Sequence, residues 1–468
     1  MNTTVIILAA GLGTRMRSKK AKVLHRAGGL ALIEHVVAAA REVAPPDRIL
    51  VVTGHQADEV ESLLCGTGVR FVRQRKQKGT GHAVVACKEA VAGEDGLLMV
   101  LYGDTPLLSA AALLRLRTTQ EGSPSAATLI TTTLDDPTGY GRVILGVDRN
   151  VRAIVEERAC TIEQRGIHVI NSGIYCFRSD LLWKYIAELK PNNIAHEFYL
   201  TDMAEILTRH GYQVQAMHVA DSTELLGINT RVDLANADRI LRQRKNEELM
   251  LAGVTVERPE TVTIDTPVQV GMDTVIEPFT RLLGTTQIGE DCRIGAGSII
   301  ESAVLADRVT VKPYSMIADS RVDSGAQIGP FSRLRMNAEV QADARVGNFV
   351  ELKKTRLGAG TKSQHLAYLG DAVIGDRVNI GAGTITCNFD GQKKHETVIG
   401  DGAFIGSNST LVAPIEIGKE SYIGAGSVIT TPVPVQALAL GRARQVVKPD
   451  WVVKKREKRA VAKKRSAV

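Results

Sequence analysis

Two hydrophobic rhythms run along the chain, one in each half. From about Val254 to Thr430 an aliphatic residue returns every six positions, commonly with a small residue after it: Ile288-Gly289, Ile294-Gly295, Ile328-Gly329, Leu334, Val340, Val346-Gly347, Leu352, then Ile405-Gly406, Leu411, Ile417-Gly418, Ile423-Gly424 and Ile429. A period of six matches neither the 3.6 of a helix nor the 2 of a half-buried strand, so it predicts a solenoid whose flat faces each take one hexad. The first half alternates instead. Short apolar runs at residues 3–8, 48–53, 69–72 and 97–102 predict strands, and segments 32–44, 56–64 and 80–91 between them predict helices. The result is an α/β sheet covered on both faces. Residues 230–252 are rich in charged residues and helix formers, with no Gly or Pro until Gly253, and predict one helix of ~34 Å at ~1.5 Å per residue, long enough to hold two domains apart. The expected division is 1–229, a linking helix 230–252, a solenoid 253–436, and a C-terminal segment with its tail 437–468.

In α/β sheets, ligands sit beyond the carboxyl ends of the strands, which directs attention to two loops. After the first strand comes Leu8-Ala9-Ala10-Gly11-Leu12-Gly13-Thr14-Arg15, with Lys22 shortly beyond. Glycines let backbone N–H groups close on phosphate oxygens, and Arg15 and Lys22 can neutralise a polyphosphate. The loop is not a Walker A motif, because no Gly-Lys-Ser/Thr follows, and it lacks the third glycine of the dinucleotide fingerprint. After a later strand comes Tyr102-Gly103-Asp104, where a carboxylate can either hold a magnesium ion or simply cap a turn.

Charge and cysteines narrow the picture. The formal excess of +7 equals the net charge of the last fifteen residues, where Lys454, Lys455, Arg456, Lys458, Arg459, Lys463, Lys464 and Arg465 face only Glu457. The remainder is near neutral, so a nucleic-acid partner is not expected, and the tail reads as a solvated, disordered end or a binding arm. Six scattered cysteines without C-x-x-C spacing argue against a disulfide framework or a zinc site. The N-terminal apolar run is too short for a signal peptide, and no stretch nears the ~20 apolar residues of a membrane span, so a cytoplasmic location is expected.

The two loops resemble those of nucleotide-diphosphosugar pyrophosphorylases. Further motifs, Lys22-Val23-Leu24-His25, Gln74, Gly79-Thr80-Gly81-His82-Ala83, Asp136 to Arg142, Ile154-Val155-Glu156, Ile170-Asn171-Ser172-Gly173 and Gly227-Ile228-Asn229, resemble the first half of the bifunctional N-acetylglucosamine-1-phosphate uridylyltransferase/glucosamine-1-phosphate acetyltransferases. That resemblance implies that Ala10, Gly11, Gln74, Gly79 and Thr80 meet the uridine end and that Leu8, Ala9 and Tyr102 also bind substrate. It also implies that Gly141, Glu156 and Asn171 meet the acetamido sugar, that Asp104 and Asn229 hold Mg2+, and that Arg15 and Lys22 assist attack of a sugar phosphate on UTP. Ala21 stands where the family usually has Pro, which loosens the loop without removing a contact.

The solenoid resembles the hexapeptide-repeat proteins, which implies a left-handed parallel β-helix of about ten coils at ~18 residues each, assembled as a homotrimer. The repeat breaks twice, with a five-residue step from Leu352 to Leu357 and a loop through Asn388, Phe389, Lys393, Lys394 and His395. Around these breaks lie Arg335, Glu351, Lys353, His365, Tyr368 and Asn379, a basic cluster that reads as a phosphate site or a solvated patch. By resemblance to the acetyltransferase half, Arg335, Lys353, Tyr368, Asn379 and Lys394 bind glucosamine 1-phosphate. His365 takes the amine proton, with Glu351 expected beside it, and Ala382, Asn388, Phe389, Ser407, Ala425 and Arg442 contact acetyl-CoA. Phe389 replaces a usual Tyr, at the cost of one hydroxyl contact, and Met336 replaces a usual Pro. The expected activity is a bifunctional one that makes UDP-N-acetylglucosamine, which in bacteria feeds cell-wall synthesis. The alternatives are a pyrophosphorylase with an inert β-helix, disfavoured by His365, Lys394 and the Asn388 loop, and a trimeric scaffold, disfavoured by Asp104 with Asn229.

Overall fold

The computed structural model describes residues 1–93, 95–191, 193 and 196–465. They group into two compact units, one of Met1–Glu248 with Ile264–Pro267 and the other of Leu249–Thr263 with Val268–Val468.

The first unit is built on strand β1, Thr3–Leu8, every residue of which is buried. Val5 and Ile7 enter one hydrophobic cluster and Ile6 and Leu8 the other, on opposite faces, which is why the strand is apolar throughout rather than alternating. Further strands are β2 (Ile49–Thr53), β3 (Arg70–Arg73), β4 (Leu97–Tyr102), β5 (Ala127–Thr133), β6 (Arg142–Leu145), β7 (Val151–Val155), β8 (Val169–Arg178) and β9 (Val214–His218). The sheet runs β9-β5-β8-β4-β1-β2-β3, with the β6–β7 ribbon attached to β8. β1 pairs in parallel with both β2 and β4, and Leu8 stands beside Val52 on one side and Tyr102 on the other. The carboxyl ends of the three strands are therefore side by side, and both loops singled out above leave from that edge. The sheet is mixed, because β8 runs antiparallel between β4 and β5 and its register shifts between Asn171 and Tyr175. Such a bulge re-aims the side chains at its rim.

Asn229 precedes the helix Arg231–Leu251. The Asp233 carboxylate accepts hydrogen bonds from the backbone N–H groups of Asn229 (2.9 Å) and Thr230 (2.8 Å), and the Thr230 hydroxyl accepts from Asp233 N–H (3.2 Å), a capping box that satisfies orphan donors of the first turn. Ala237 and Leu241 pack with Leu32, Leu107 and Ile228. At its far end Gly253 adopts φ +94 and Val254 N–H returns to the Leu249 carbonyl, a glycine C-cap that stops the helix where the sequence predicts.

In the second unit eleven short parallel strands, from Thr255–Val256 to Leu438–Ala439, stack into one ladder, and a seventeen-stranded sheet covers the remaining faces. Ile276, Ile294, Val311, Ile328 and Val346 stack inward on one another, 17 or 18 positions apart, and all are buried. This is the hexapeptide-repeat β-helix expected from the six-residue period. The small residue after each aliphatic one lies where the next coil passes: a Cβ on Gly295 would be 2.6 Å from the Pro313 backbone nitrogen.

The faults have a structural form. Arg333–Arg335 and Glu339–Val340 are separate strands, but the next coil carries one seven-residue strand, Glu351–Leu357, that pairs with both. Tyr368–Ile374 repeats this fusion, so the five-residue step expected at Leu352–Leu357 recurs at Leu369–Ile374. The turn between two hexads is lost in both coils.

The tail, read as a disordered end, is instead helical over Trp451–Arg465, because Lys, Arg, Glu and Ala are good helix formers uninterrupted there by Gly or Pro. Residues 451–462 of it are exposed. Among the described residues no helix is long and apolar enough to cross a membrane.

Candidate active sites

The edge formed by β1, β2 and β4 opens into a cavity of about 450 Å³ lined by Leu8, Ala9, Ala10, Gly11, Arg15, Lys22, Gln74, Gly79, Thr80, Tyr102, Asp104 and Asn229. Residues more than two hundred positions apart in the chain, such as Lys22 and Asn229, converge here. Gly13 has φ +61, and a Cβ on it would fall 2.7 Å from that of Lys22, so the glycine both permits the turn and admits the lysine stem. The Lys22 ammonium forms an ion pair with Asp104 and donates a hydrogen bond to Asn229 Oδ1 at 2.9 Å. The Asp104 carbonyl accepts from Ile228 N–H (2.9 Å), tying the two loops together. Gln74 is buried, with its amide nitrogen on the Gly79 carbonyl (3.2 Å) and near His82 Nδ1 (2.9 Å). Gly79, at φ +104, lies against the Phe198 backbone, where a Cβ would come within 2.6 Å of the carbonyl oxygen.

Gly141, Glu156 and Asn171 form an adjoining group outside that lining. Asn171 N–H donates to the Gly141 carbonyl (2.9 Å), the Asn171 amide donates to the Tyr175 hydroxyl (2.7 Å), and Thr201 donates to Glu156 Oε1 (3.4 Å). Burial raises the Glu156 carboxyl above its usual range. Tyr102 bridges the two groups: burial first, then the nearby charges of Glu156 and Asp104, raise its phenol. A neighbouring cavity of about 280 Å³ shares Arg15 and Asn229. Gln77 and Glu197 also line the main cavity and are absent from the sequence expectations. Gln77 is one residue in a basic run, and Glu197 lies far from any recognised motif.

On the β-helix the candidates fall into two constellations. In the first, Arg335 Nε donates to Glu351 Oε1 at 2.6 Å, Lys353 Nζ donates to Asp371 Oδ2 at 3.0 Å, and Asn388 Nδ2 donates to the same Asp371 oxygen at 2.5 Å. Lys353, Asp371 and Asn388 are all buried. Lys394 reaches this group: its contact with Lys353, together with the charge of Arg335, lowers its ammonium below the usual value. Tyr368 extends over Gly370, where a Cβ would lie 2.5 Å from the tyrosine oxygen. Asp371 is the functional candidate that the sequence reading missed, and Glu351, expected beside His365, is held by Arg335.

The second constellation belongs to the other ladder. His365 is exposed and pairs in register with Asn348, and Asn379 is on the next strand of that ladder, paired with Lys362. Ala382, Ser407 and Ala425 follow at successive turns: Asn408 N–H donates to the Ala382 carbonyl (2.7 Å), Gly426 N–H to the Ser407 carbonyl (2.8 Å), and Arg442 Nη1 to the Ala425 carbonyl (2.8 Å). Phe389 is exposed and bridges to Lys394 across the loop.

Comparison with known proteins fits this division. Residues 5–172 match the family described as a MobA-like NTP transferase domain, and residues 267–302 and 396–431 match bacterial transferase hexapeptide repeats. Bifunctional protein GlmU of Solibacter usitatus is 55% identical over 454 residues, covering 97% of both chains. Those of Koribacter versatilis and Trichormus variabilis are each 48% identical, covering 97% of both chains and 96% and 98% respectively. The chain belongs to the GlmU family. It is a bifunctional enzyme with a nucleotidyltransferase unit and a hexapeptide acyltransferase unit. The stretch between the two hexapeptide matches contains both fused strands and the Asn388–His395 loop, so the first constellation of this GlmU chain lies where its repeat is least regular.

Proposed function

We infer that the chain makes UDP-N-acetylglucosamine in two reactions, one in each unit. In the β-helix the amine of glucosamine 1-phosphate attacks the thioester carbonyl of acetyl-CoA, the C–S bond breaks, and CoA leaves as the thiol. The amine must be neutral to attack, and the His365 imidazole takes its proton. Arg335, Lys353 and Lys394 supply positive charge for the phosphate, with Tyr368 and Asn379 at the sugar. Asn388, Phe389, Ala382, Ser407, Ala425 and Arg442 line the acetyl-CoA side. Because His365 and the lysine group belong to different ladders, we read the complete site as one closed by neighbouring copies in a homotrimer.

In the first unit an oxygen of N-acetylglucosamine 1-phosphate attacks the α-phosphorus of UTP, and the bond to the β-phosphate breaks to release pyrophosphate. Arg15 and Lys22 offset charge on the phosphates, Gln74, Gly79 and Thr80 hold the uridine end, and Gly141, Glu156 and Asn171 hold the acetamido sugar. Asp104 and Asn229 would hold Mg2+. Their oxygens converge on one cation, the Lys22 ammonium, and a carboxylate with an amide oxygen is a hard donor pair that suits this ion. Among the described residues there is no cluster of three or more metal-binding side chains, which fits an ion that draws its other ligands from water and substrate phosphates. When bound, Mg2+ supplies charge neutralisation at the phosphates. Both reactions use soluble small molecules, in keeping with a cytoplasmic location.

The observation that carries the two-reaction reading is the buried Lys353–Asp371–Asn388 group with Lys394 on the β-helix, since an inert solenoid has no use for buried charge. Product analysis with glucosamine 1-phosphate, acetyl-CoA, UTP and Mg2+ tests it. Omitting acetyl-CoA should stop both CoA and nucleotide-sugar formation, and omitting UTP should leave CoA release intact. Nucleotide sugar formed at full rate without acetyl-CoA would favour the pyrophosphorylase with an inert β-helix.

A further inference from the structure

Lys22 stands where a metal ion is expected. Its ammonium touches both Asp104 and Asn229 Oδ1, and the Lys22 and Asp104 side chains are only 16% and 18% exposed. Two cations at one oxygen pair repel each other strongly in so sheltered a place. A divalent ion also demands close, nearly octahedral oxygen contacts, which a lysine lying on the same carboxylate denies it. The stem of Lys22 passes close to Gly13, where a Cβ would come within 2.7 Å of its own Cβ.

We propose that Lys22 is a resident cation that blocks the divalent-metal site of the substrate-free enzyme and gives it up when the triphosphate enters. The incoming phosphates are the partners for which the ammonium exchanges Asp104 and Asn229. Metal and nucleotide therefore bind cooperatively: each lowers the cost of displacing Lys22 for the other, and the coupling is reciprocal. The inference rests on the assignment of Asp104 and Asn229 as metal ligands.

The test is Mn2+ binding to the full-length protein without substrate, followed by the electron paramagnetic resonance of the free ion, in the wild type, Lys22→Met, Lys22→Arg and Asp104→Asn. Lys22→Met should bind Mn2+ about tenfold more tightly than the wild type, equivalent to ~1.4 kcal/mol. Lys22→Arg, which keeps a cation there, should not show this gain. UTP alone should tighten Mn2+ binding more in the wild type than in Lys22→Met. Unchanged or weaker binding by Lys22→Met, with wild-type melting behaviour of the first unit as proof of folding, overturns the proposal. Lys22→Gln serves as the neutral variant if Lys22→Met does not fold. If the wild type fails to bind Mn2+ even with UTP, or Asp104→Asn binds it as well as the wild type, the metal assignment itself falls.

Discussion

Asp371 shows what one carboxylate does in a stack of coils. One of its oxygens holds Lys353, 18 positions earlier, and Asn388, 17 positions later, so it clamps a side chain from the coil on either side. Those two are expected to meet different substrates, the sugar phosphate and acetyl-CoA. Asp371→Asn should therefore raise KM for both substrates of acetyl transfer while leaving uridylyl transfer unchanged; a change confined to kcat would contradict a positioning role. Burial alone would raise the Asp371 carboxyl, but the hydrogen bonds from Lys353 and Asn388 and the lysine charges outweigh it and hold the group below its usual value. A depressed carboxyl contributes stability above the ordinary Asp value of about 3.9, and that contribution is lost as pH falls through the lowered folded value. Thermal melts from pH 7 to pH 2 should show the wild type losing stability in that acid range and Asp371→Asn losing less. In the chain Asp371 belongs to no motif, because its partners are visible only after the coil pitch is added and subtracted. Lys22, Asp104 and Asn229 were legible through a family resemblance, but their contact with one another was not, since no local pattern brings residues so distant in sequence together.

At the scale of elements, the capping box at Thr230 and Asp233 both starts a helix and sets Asn229 in place. Asp233→Ala removes the acceptor for Asn229 N–H and Thr230 N–H and should cost about 1 kcal/mol of stability, as losses of helix caps do. It should also lower uridylyl transfer, with acetyl transfer spared. Thr230→Ala also breaks the box but leaves the hold of Asp233 on Asn229, so it should cost similar stability with a smaller loss of uridylyl transfer. Equal activity losses in the two variants, measured beside their melting midpoints, would assign the effect to the helix and not to Asn229. The helix itself was readable from composition and its glycine stop, as were the strands Thr3–Leu8, Ile49–Thr53, Arg70–Arg73 and Leu97–Tyr102, because long-range burial reinforced local pattern there; the five strands from Ala127–Thr133 to Val214–His218 were not read from pattern. The second five-residue step at Leu369–Ile374 was not, since its hydrophobic positions still look regular until the pairing of Glu351–Leu357 with Tyr368–Ile374 shows which turn is missing. The tail misled in the other direction: charge density pointed to disorder, whereas helix propensity governs Trp451–Arg465.

For the molecule as a whole, the two units carry separate chemistries, and their only required link is N-acetylglucosamine 1-phosphate, the product of one and the substrate of the other. The two activities should then be separable and also recombinable between molecules. His365→Ala should abolish CoA release from glucosamine 1-phosphate yet retain uridylyl transfer to supplied N-acetylglucosamine 1-phosphate, and Asp104→Ala should show the reverse. Each variant alone should form no UDP-N-acetylglucosamine from glucosamine 1-phosphate, acetyl-CoA and UTP. An equal mixture of the two purified variants should form it after a lag, while the acetylated intermediate accumulates in solution, and the lag should shorten as the Asp104→Ala protein is increased. A mixture that stayed inactive although each variant kept its expected single activity would mean that the intermediate does not pass freely through solvent, and that both sites must act within one molecule or one assembly.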